Sequence, residues 1–189
     1  MSIITTIKKL TTTWFHWQPS LADERSEGLP TRQSLQKVWQ DPIYFLAFGF
    51  GSGLAKKAPG TWGTVAAIPV YLLIAPTKPG VYLTLTLLAF ILGVVICNQV
   101  SRGLGVNDYK GIVWDEIVGY LLTMSFAPIG FGWMLAGFLL FRLFDIWKPQ
   151  PIRWIDQRVK GGLGVMLDDV LAAIPAWLLL RLLIWVFES

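Results

Sequence analysis

Five apolar runs, most of whose flanks carry charge, leave this chain few ways to fold. They cover residues 64–75, 81–100, 112–128, 131–147 and 170–187. Each is comparable to, or somewhat short of, the roughly 20 residues with which a helix crosses the hydrocarbon of a bilayer. Ten Trp, eleven Phe and a hydrophobic share of 54% in 189 residues exceed what one soluble core of this size can cover. Only 15% of the residues are charged, and mean hydropathy is +0.55. The expectation is an all-α integral membrane protein, a bundle of about five transmembrane helices. The first run is short and holds Pro69, so it can instead join the apolar stretch 43–50 in a broken or re-entrant element.

Residues 1–40 read as a polar N-terminal cytoplasmic arm, partly disordered, ahead of a membrane-embedded domain at 41–189. Asp23, Glu24, Arg25 and Glu27 argue against a secretory signal here. Orientation follows the basic residues. Lys8, Lys9, Arg25, Arg32, Lys37, Lys56 and Lys57 precede the first run; Arg102 and Lys110 lie between the second and third; Lys148, Arg153, Arg158 and Lys160 lie between the fourth and fifth. The other side has Lys78 alone, and Arg142 and Arg181 fall inside runs. The N-terminus is therefore expected in the cytoplasm and the C-terminus outside. The net charge of +4 comes from residues that flank apolar segments and form no stripe interleaved with aromatics, so anionic lipid suits it better than nucleic acid. Nothing in the sequence calls for an obligatory protein partner.

The acidic residues beyond the arm carry the chemistry. Asp115 and Glu116 open the third run, Asp145 closes the fourth, and Asp168 with Asp169 opens the fifth. Up-and-down connectivity brings all five to the cytoplasmic interface, where carboxylates are costly unless paired, hydrated or bound to a cation. Oxygen ligands without histidine or thiolate select Mg²⁺, Mn²⁺ or Ca²⁺ over zinc, magnesium foremost. Asp115, Asp145 and Asp169 are expected nearest the metal. Any single acid at a helix start can also serve as a cap or dipole partner, but that explains Asp145 poorly, because a helix C-terminus disfavours an anion.

Arg142, Asp145 and Lys148 follow at three-residue intervals and can line one helix face, which suits a phosphate with its metal or, alternatively, an intrahelical ion pair with snorkelling ends. Residues 160–169 place glycines just before two acids, a turn whose N–H groups can face an anion. The loop 49–64, with Ser52, Lys57, Thr61 and Thr64, can cradle a phosphate, or its glycines can simply allow close helix packing. It lacks the GxxxxGK[ST] pattern of a nucleotide loop. His16 is the only histidine and lies in the arm, while the single cysteine, Cys97, falls mid-run. A metal-activated water or a carboxylate is then left as the nucleophile.

Five motifs in this order carry a resemblance: Gly49-Phe50-Gly51-Ser52-Gly53-Leu54; Ala58-Pro59-Gly60-Thr61-Trp62-Gly63; Ile112-Val113-Trp114-Asp115-Glu116-Ile117-Val118-Gly119; Phe141-Arg142-Leu143-Phe144-Asp145-Ile146-Trp147-Lys148-Pro149; and Gly161-Gly162-Leu163-Gly164-Val165-Met166-Leu167-Asp168-Asp169. They resemble the motifs of the phosphatidylglycerophosphatase A family over about residues 41–180. Departures are mild: Lys56, Thr64 and Ala173 stand where the family pattern has proline, serine and glycine. The resemblance implies an Mg²⁺-dependent hydrolase of the bacterial cytoplasmic (inner) membrane that converts phosphatidylglycerophosphate to phosphatidylglycerol and phosphate in phospholipid biosynthesis, with its site at the cytoplasmic face. On this reading Asp115, Glu116, Asp145, Asp168 and Asp169 hold metal and do the catalysis, and Arg142, Lys148, Ser52, Lys57 and Thr61 bind substrate. Two other classes remain open: a divalent-cation channel or transporter, which also puts acids at helix ends, and a phosphotransferase of the CDP-alcohol type, whose longer aspartate pattern is not found here.

Overall fold

The computed structural model describes residues 35–106, 109–150, 159 and 161–188. Among the described residues there are six α-helices and no strand. They are α1 (Pro42–Ala47), α2 (Pro59–Ile74), α3 (Pro79–Leu104), α4 (Trp114–Thr123), α5 (Phe131–Trp147) and α6 (Gly161–Glu188), with single 3₁₀ turns at Lys37–Trp39 and Ser52–Leu54. The all-helical expectation holds. Most of the polar arm, and Arg153, Arg158 and Lys160, lie outside the described residues.

Local chemistry sets where these helices begin and end. Proline opens α1, α2 and α3; its fixed φ suits a first helical residue, and the N–H it lacks would have no partner there. Asp41 caps α1, its carboxylate accepting from the Ile43 N–H at 2.8 Å. Gly105 closes α3 with a φ of +68°.

The short helix α4 is the centre of the molecule. Ten residues rise about 15 Å, and α2, α3, α5 and α6 all pack against them. Eight of the ten are buried. Missing side chains let the neighbours close in: a Cβ on Gly119 would stand 2.5 Å from the Phe141 ring of α5, and one on Gly93 of α3 would stand 2.6 Å from the Met166 sulfur of α6. The polar tips of the buried aromatics are satisfied by backbone. Tyr82 donates to the Leu121 carbonyl at 2.6 Å, Tyr120 to that of Met134 at 3.1 Å, and Trp114 Nε1 to that of Ala89 at 2.9 Å.

Four of the five expected spans differ in extent: α2 starts at Pro59, inside the stretch read as a loop, α3 is longer at both ends, and the third and fifth differ most. The run 112–128 is helical only as α4, and Phe126 beyond it adopts a φ of +62°. The last helix starts at Gly161, nine residues before the expected Val170, because its glycines let it lie against α3: a Cβ on Gly162 would stand 2.6 Å from the Asn98 backbone nitrogen. By length and composition α3, with 26 residues, and α6, with 28, can cross a membrane; α2 is apolar but has 16 residues. It runs unbroken through Pro69. The outer faces of three helices are apolar: Leu87, Leu88 and Ile91 on α3, Leu139 and Leu143 on α5, and Leu178 and Leu182 on α6 are each more than half exposed.

Candidate active site

The starts of α2 and α4, the end of α5 and the first third of α6 meet around a cavity of about 250 Å³. Asp115 and Glu116 occupy the first turn of α4. From α6 come Asp168 and Asp169, and from α5 come Arg142, Asp145 and Lys148. All five acids expected from the sequence line this one cavity, with both cations of the Phe141–Lys148 motif.

Their arrangement divides them. One oxygen each from Asp115, Glu116 and Asp169 lies within 4.8 Å of the others. Asp145 instead pairs with Arg142 one turn earlier, Oδ2 to Nη1 at 2.5 Å, and the same Nη1 lies 3.8 Å from Glu116 Oε1. Lys148, whose φ of +41° ends α5, donates to Asp168. Glu116 thus takes the place in the trio expected of Asp145. The side chains of Glu116, Arg142 and Asp145 are each no more than 14% exposed, so little solvent screens them.

The trio is chemically incomplete by itself. Five carboxylates and three cations, Lys110 being the third, line the cavity, leaving two formal negative charges. Glu116 Oε2 and Asp169 Oδ2 are buried without a hydrogen-bond partner among the described residues, a costly arrangement unless a cation relieves it. Three clustered oxygen donors fit a hard divalent cation, and among the described residues no histidine or cysteine lines the cavity. Gly60, the second residue of α2, is part of the fit: a Cβ there would overlap Glu116 Oε1 and stand 3.1 Å from Arg142 Nη1.

The glycine-rich loop contributes less to the cavity than expected. Only its end, Ala58 to Gly60, lines the space; Ser52, Lys57 and Thr61 are not among the lining residues, and Lys57 is exposed. The loop's glycines serve packing instead. A Cβ on Gly63 would stand 2.6 Å from Val113, and one on Gly53 would overlap the Gly111 carbonyl oxygen. Of the glycines read as a turn before the fifth run, Gly162 and Gly164 lie inside α6, and Gly161, with a φ of +77°, stands at its start. Lys110 was missed; its only sequence signal is its place five residues before Asp115, in the segment that leads into α4.

This cavity, with its acids held together and its cations held beside them, belongs to an enzyme, and the relatives of the chain give its class: it is a phosphatase, a hydrolase of phosphomonoesters. Residues 45–184 match the family described as Phosphatidylglycerophosphatase A. Phosphatidylglycerophosphatase A of Escherichia coli is 43% identical over 135 residues, 71% of this chain and 78% of that one. The protein of the same name from Haemophilus influenzae is 46% identical over 138 residues, 72% of this chain and 85% of that one. A Bacteroides thetaiotaomicron protein, provisionally named a phosphatidylinositol-3-phosphatase, is 35% identical over 146 residues, 73% of this chain and 91% of that one. No solved structure matches. The chain belongs to the phosphatidylglycerophosphatase A family.

Proposed function

We propose that this protein removes the terminal phosphate of phosphatidylglycerophosphate, yielding phosphatidylglycerol and phosphate for phospholipid biosynthesis. The observation that carries the reading is the trio of carboxylate oxygens within 4.8 Å, set beside Arg142 and Lys148 in one cavity. The 43% and 46% identity to enzymes named for that substrate supports it.

Asp115, Glu116 and Asp169 would hold Mg²⁺, with Asp145 and Asp168 beside them. Bound there, the ion supplies Lewis-acid polarisation of phosphate oxygens and a lower pKa for coordinated water. Arg142, fixed by Asp145, and Lys148, fixed by Asp168, face the charge that develops on the transferred phosphoryl group. Lys110 adds a third cation at the cavity wall. The nucleophile in this reading is water. The only histidine is His16 in the arm, and Cys97 is buried in α3 and does not line the cavity. A cavity carboxylate accepts the proton of the attacking water.

The catalytic domain is residues 41–189, multi-pass in the bacterial inner membrane, with α2, α3, α5 and α6 forming the bundle around α4. The apolar outer faces of α3, α5 and α6 support lipid as their solvent, since a soluble monomer rarely exposes such continuous apolar surface. Lys56 and Lys57 before α2, Lys110 before α4 and Lys148 at the end of α5 flank the helix ends that form the cavity, which supports a cytoplasmic site. An ion path is disfavoured because the acids gather at one end while buried Tyr71, Tyr82 and Tyr120 meet edge to face farther along the bundle, centroids 6.4 and 6.2 Å apart.

Phosphate release by the purified full chain in detergent tests the reading, with phosphatidylglycerophosphate and phosphatidylinositol 3-phosphate assayed side by side. The expected result is Mg²⁺-dependent release from phosphatidylglycerophosphate, abolished by chelation. No release from that lipid would overturn the assignment, and release that survives complete chelation would remove the metal from it.

A further inference from the structure

A second cavity, about 310 Å³, opens on the side of the bundle between α6 and the end of α4. Ala173, 2% exposed, forms its floor, and Phe126 and Ile174, each 51% exposed, form its rim. No charged side chain lines it. Its polar groups are already engaged: the Ser125 hydroxyl donates to the Leu121 carbonyl at 3.3 Å, and Trp177 Nε1 donates to the Ser125 carbonyl at 3.0 Å. A polar ligand would lose hydrogen bonds on entering, whereas a hydrocarbon chain has none to lose.

The groove and the catalytic cavity are both lined by α6. Asp169, Ala173 and Trp177 follow at four-residue intervals, so they share one face of α6. Asp169 belongs to the carboxylate trio, while Ala173 and Trp177 line the groove. Eight residues of helix rise about 12 Å, close to the roughly 15 Å that one leaflet contributes to the hydrocarbon.

We infer that this groove seats one acyl chain of the phospholipid whose headgroup occupies the carboxylate cavity. The inference rests on the lipid-phosphatase reading above and adds to it a binding site for the hydrocarbon part of the substrate. Lipid tails are as apolar as the groove, so transfer between them gains little from the hydrophobic effect. What the groove supplies is van der Waals fit and a fixed depth for the headgroup.

A photoreactive substrate tests this. The full chain is placed in phosphatidylcholine vesicles containing diacyl phosphatidylglycerophosphate with a diazirine midway along one acyl chain, irradiated, and its peptides are mapped by mass. Adducts are expected to concentrate on Phe126, Ala173, Ile174 and Trp177. Ile174→Trp, a change at the exposed rim, should cut that labelling and lower kcat/KM for the long-chain lipid by about fivefold, the worth of several lost contacts. A water-soluble analogue with four-carbon chains, too short to fill the groove, should be turned over by the variant within about twofold of the parent rate. Adducts spread evenly over the outer residues Leu87, Leu88 and Leu139 would overturn the inference, as would a groove filled by cross-linking to a second copy of the chain. Labelling is read without turnover, so a chain that labels in the groove but releases no phosphate keeps the acyl site and loses the phosphatase reading.

Discussion

One added methyl group at Gly60 is expected to disable the site without unfolding the protein. Gly60 is the second residue of α2, behind Pro59, and its backbone is helical, so alanine fits the conformation and should favour the helix by up to about 1 kcal/mol. The methyl, however, would overlap Glu116 Oε1 and stand 3.1 Å from both Glu116 Cδ and Arg142 Nη1. Carbon contacts settle near 3.5–4.0 Å, so the carboxylate must retreat by on the order of 1 Å. It cannot do so freely, because Glu116 is hemmed by Arg142 and shares the trio with Asp115 and Asp169. Misplacement of that size costs about 100-fold in rate. The assay is phosphate release with thermal unfolding measured in parallel. A matched control exists in the chain itself: Pro79 and Gly80 open α3 in the same way, but a Cβ on Gly80 would meet nothing within 4 Å. Gly80→Ala should leave activity unchanged. If Gly60→Ala keeps activity within about twofold of the parent, the Glu116 carboxylate is not held where the reaction needs it and the argument fails.

The five acids should not behave alike. Asp115→Asn, Glu116→Gln and Asp169→Asn are expected to lose orders of magnitude in kcat, whereas Asp145→Asn and Asp168→Asn, which lose an ion pair with Arg142 or Lys148, should lose about 10 to 100-fold; equal losses at all five would erase the division. In a Cys97→Ala background, a cysteine at position 78 should react with an impermeant thiol reagent in intact cells, and one at position 57 should not; the reverse pattern would invert the topology. Rapid quench with borohydride should trap no reduced aspartate during turnover. Conversion of any cavity aspartate to homoserine would show an aspartyl phosphate and rule out direct attack by water.

The order of the apolar segments and the gathering of the acids were legible because both follow from sequence spacing and alternation of direction. The lengths of the segments were not. Residues 112–128 read as one apolar run, but Pro128 disfavours a helical Ala127, Phe126 turns with positive φ, and the helix has already ended at Thr123. Hydropathy does not register such a stop. Glycines misled in the opposite sense. Gly161, Gly162 and Gly164 read as a turn ahead of the helix, yet they fall in the first turn of α6, where Gly162 permits contact with α3 and Gly164 with Val159. Whether a glycine breaks a helix or lets another approach depends on a neighbour that the local sequence does not contain.

The same limit governs the site. Sequence spacing placed Asp168 and Asp169 together, but adjacent residues on a helix point about 100° apart, and the two take different partners: Asp168 meets Lys148, and Asp169 joins Asp115 and Glu116. Arg142 and Lys148, both from the end of α5, pair with Asp145 and Asp168, and Arg142 also stands 3.8 Å from Glu116, while Asp115, Glu116 and Asp169 gather as the trio. That division explains why an acid stands at the C-terminal end of α5, where the helix dipole opposes it: Asp145 holds Arg142 in place. In the function proposed above, a divalent cation at the trio would offset three crowded carboxylates, so it would favour the binding of a phosphate dianion as well as its reaction.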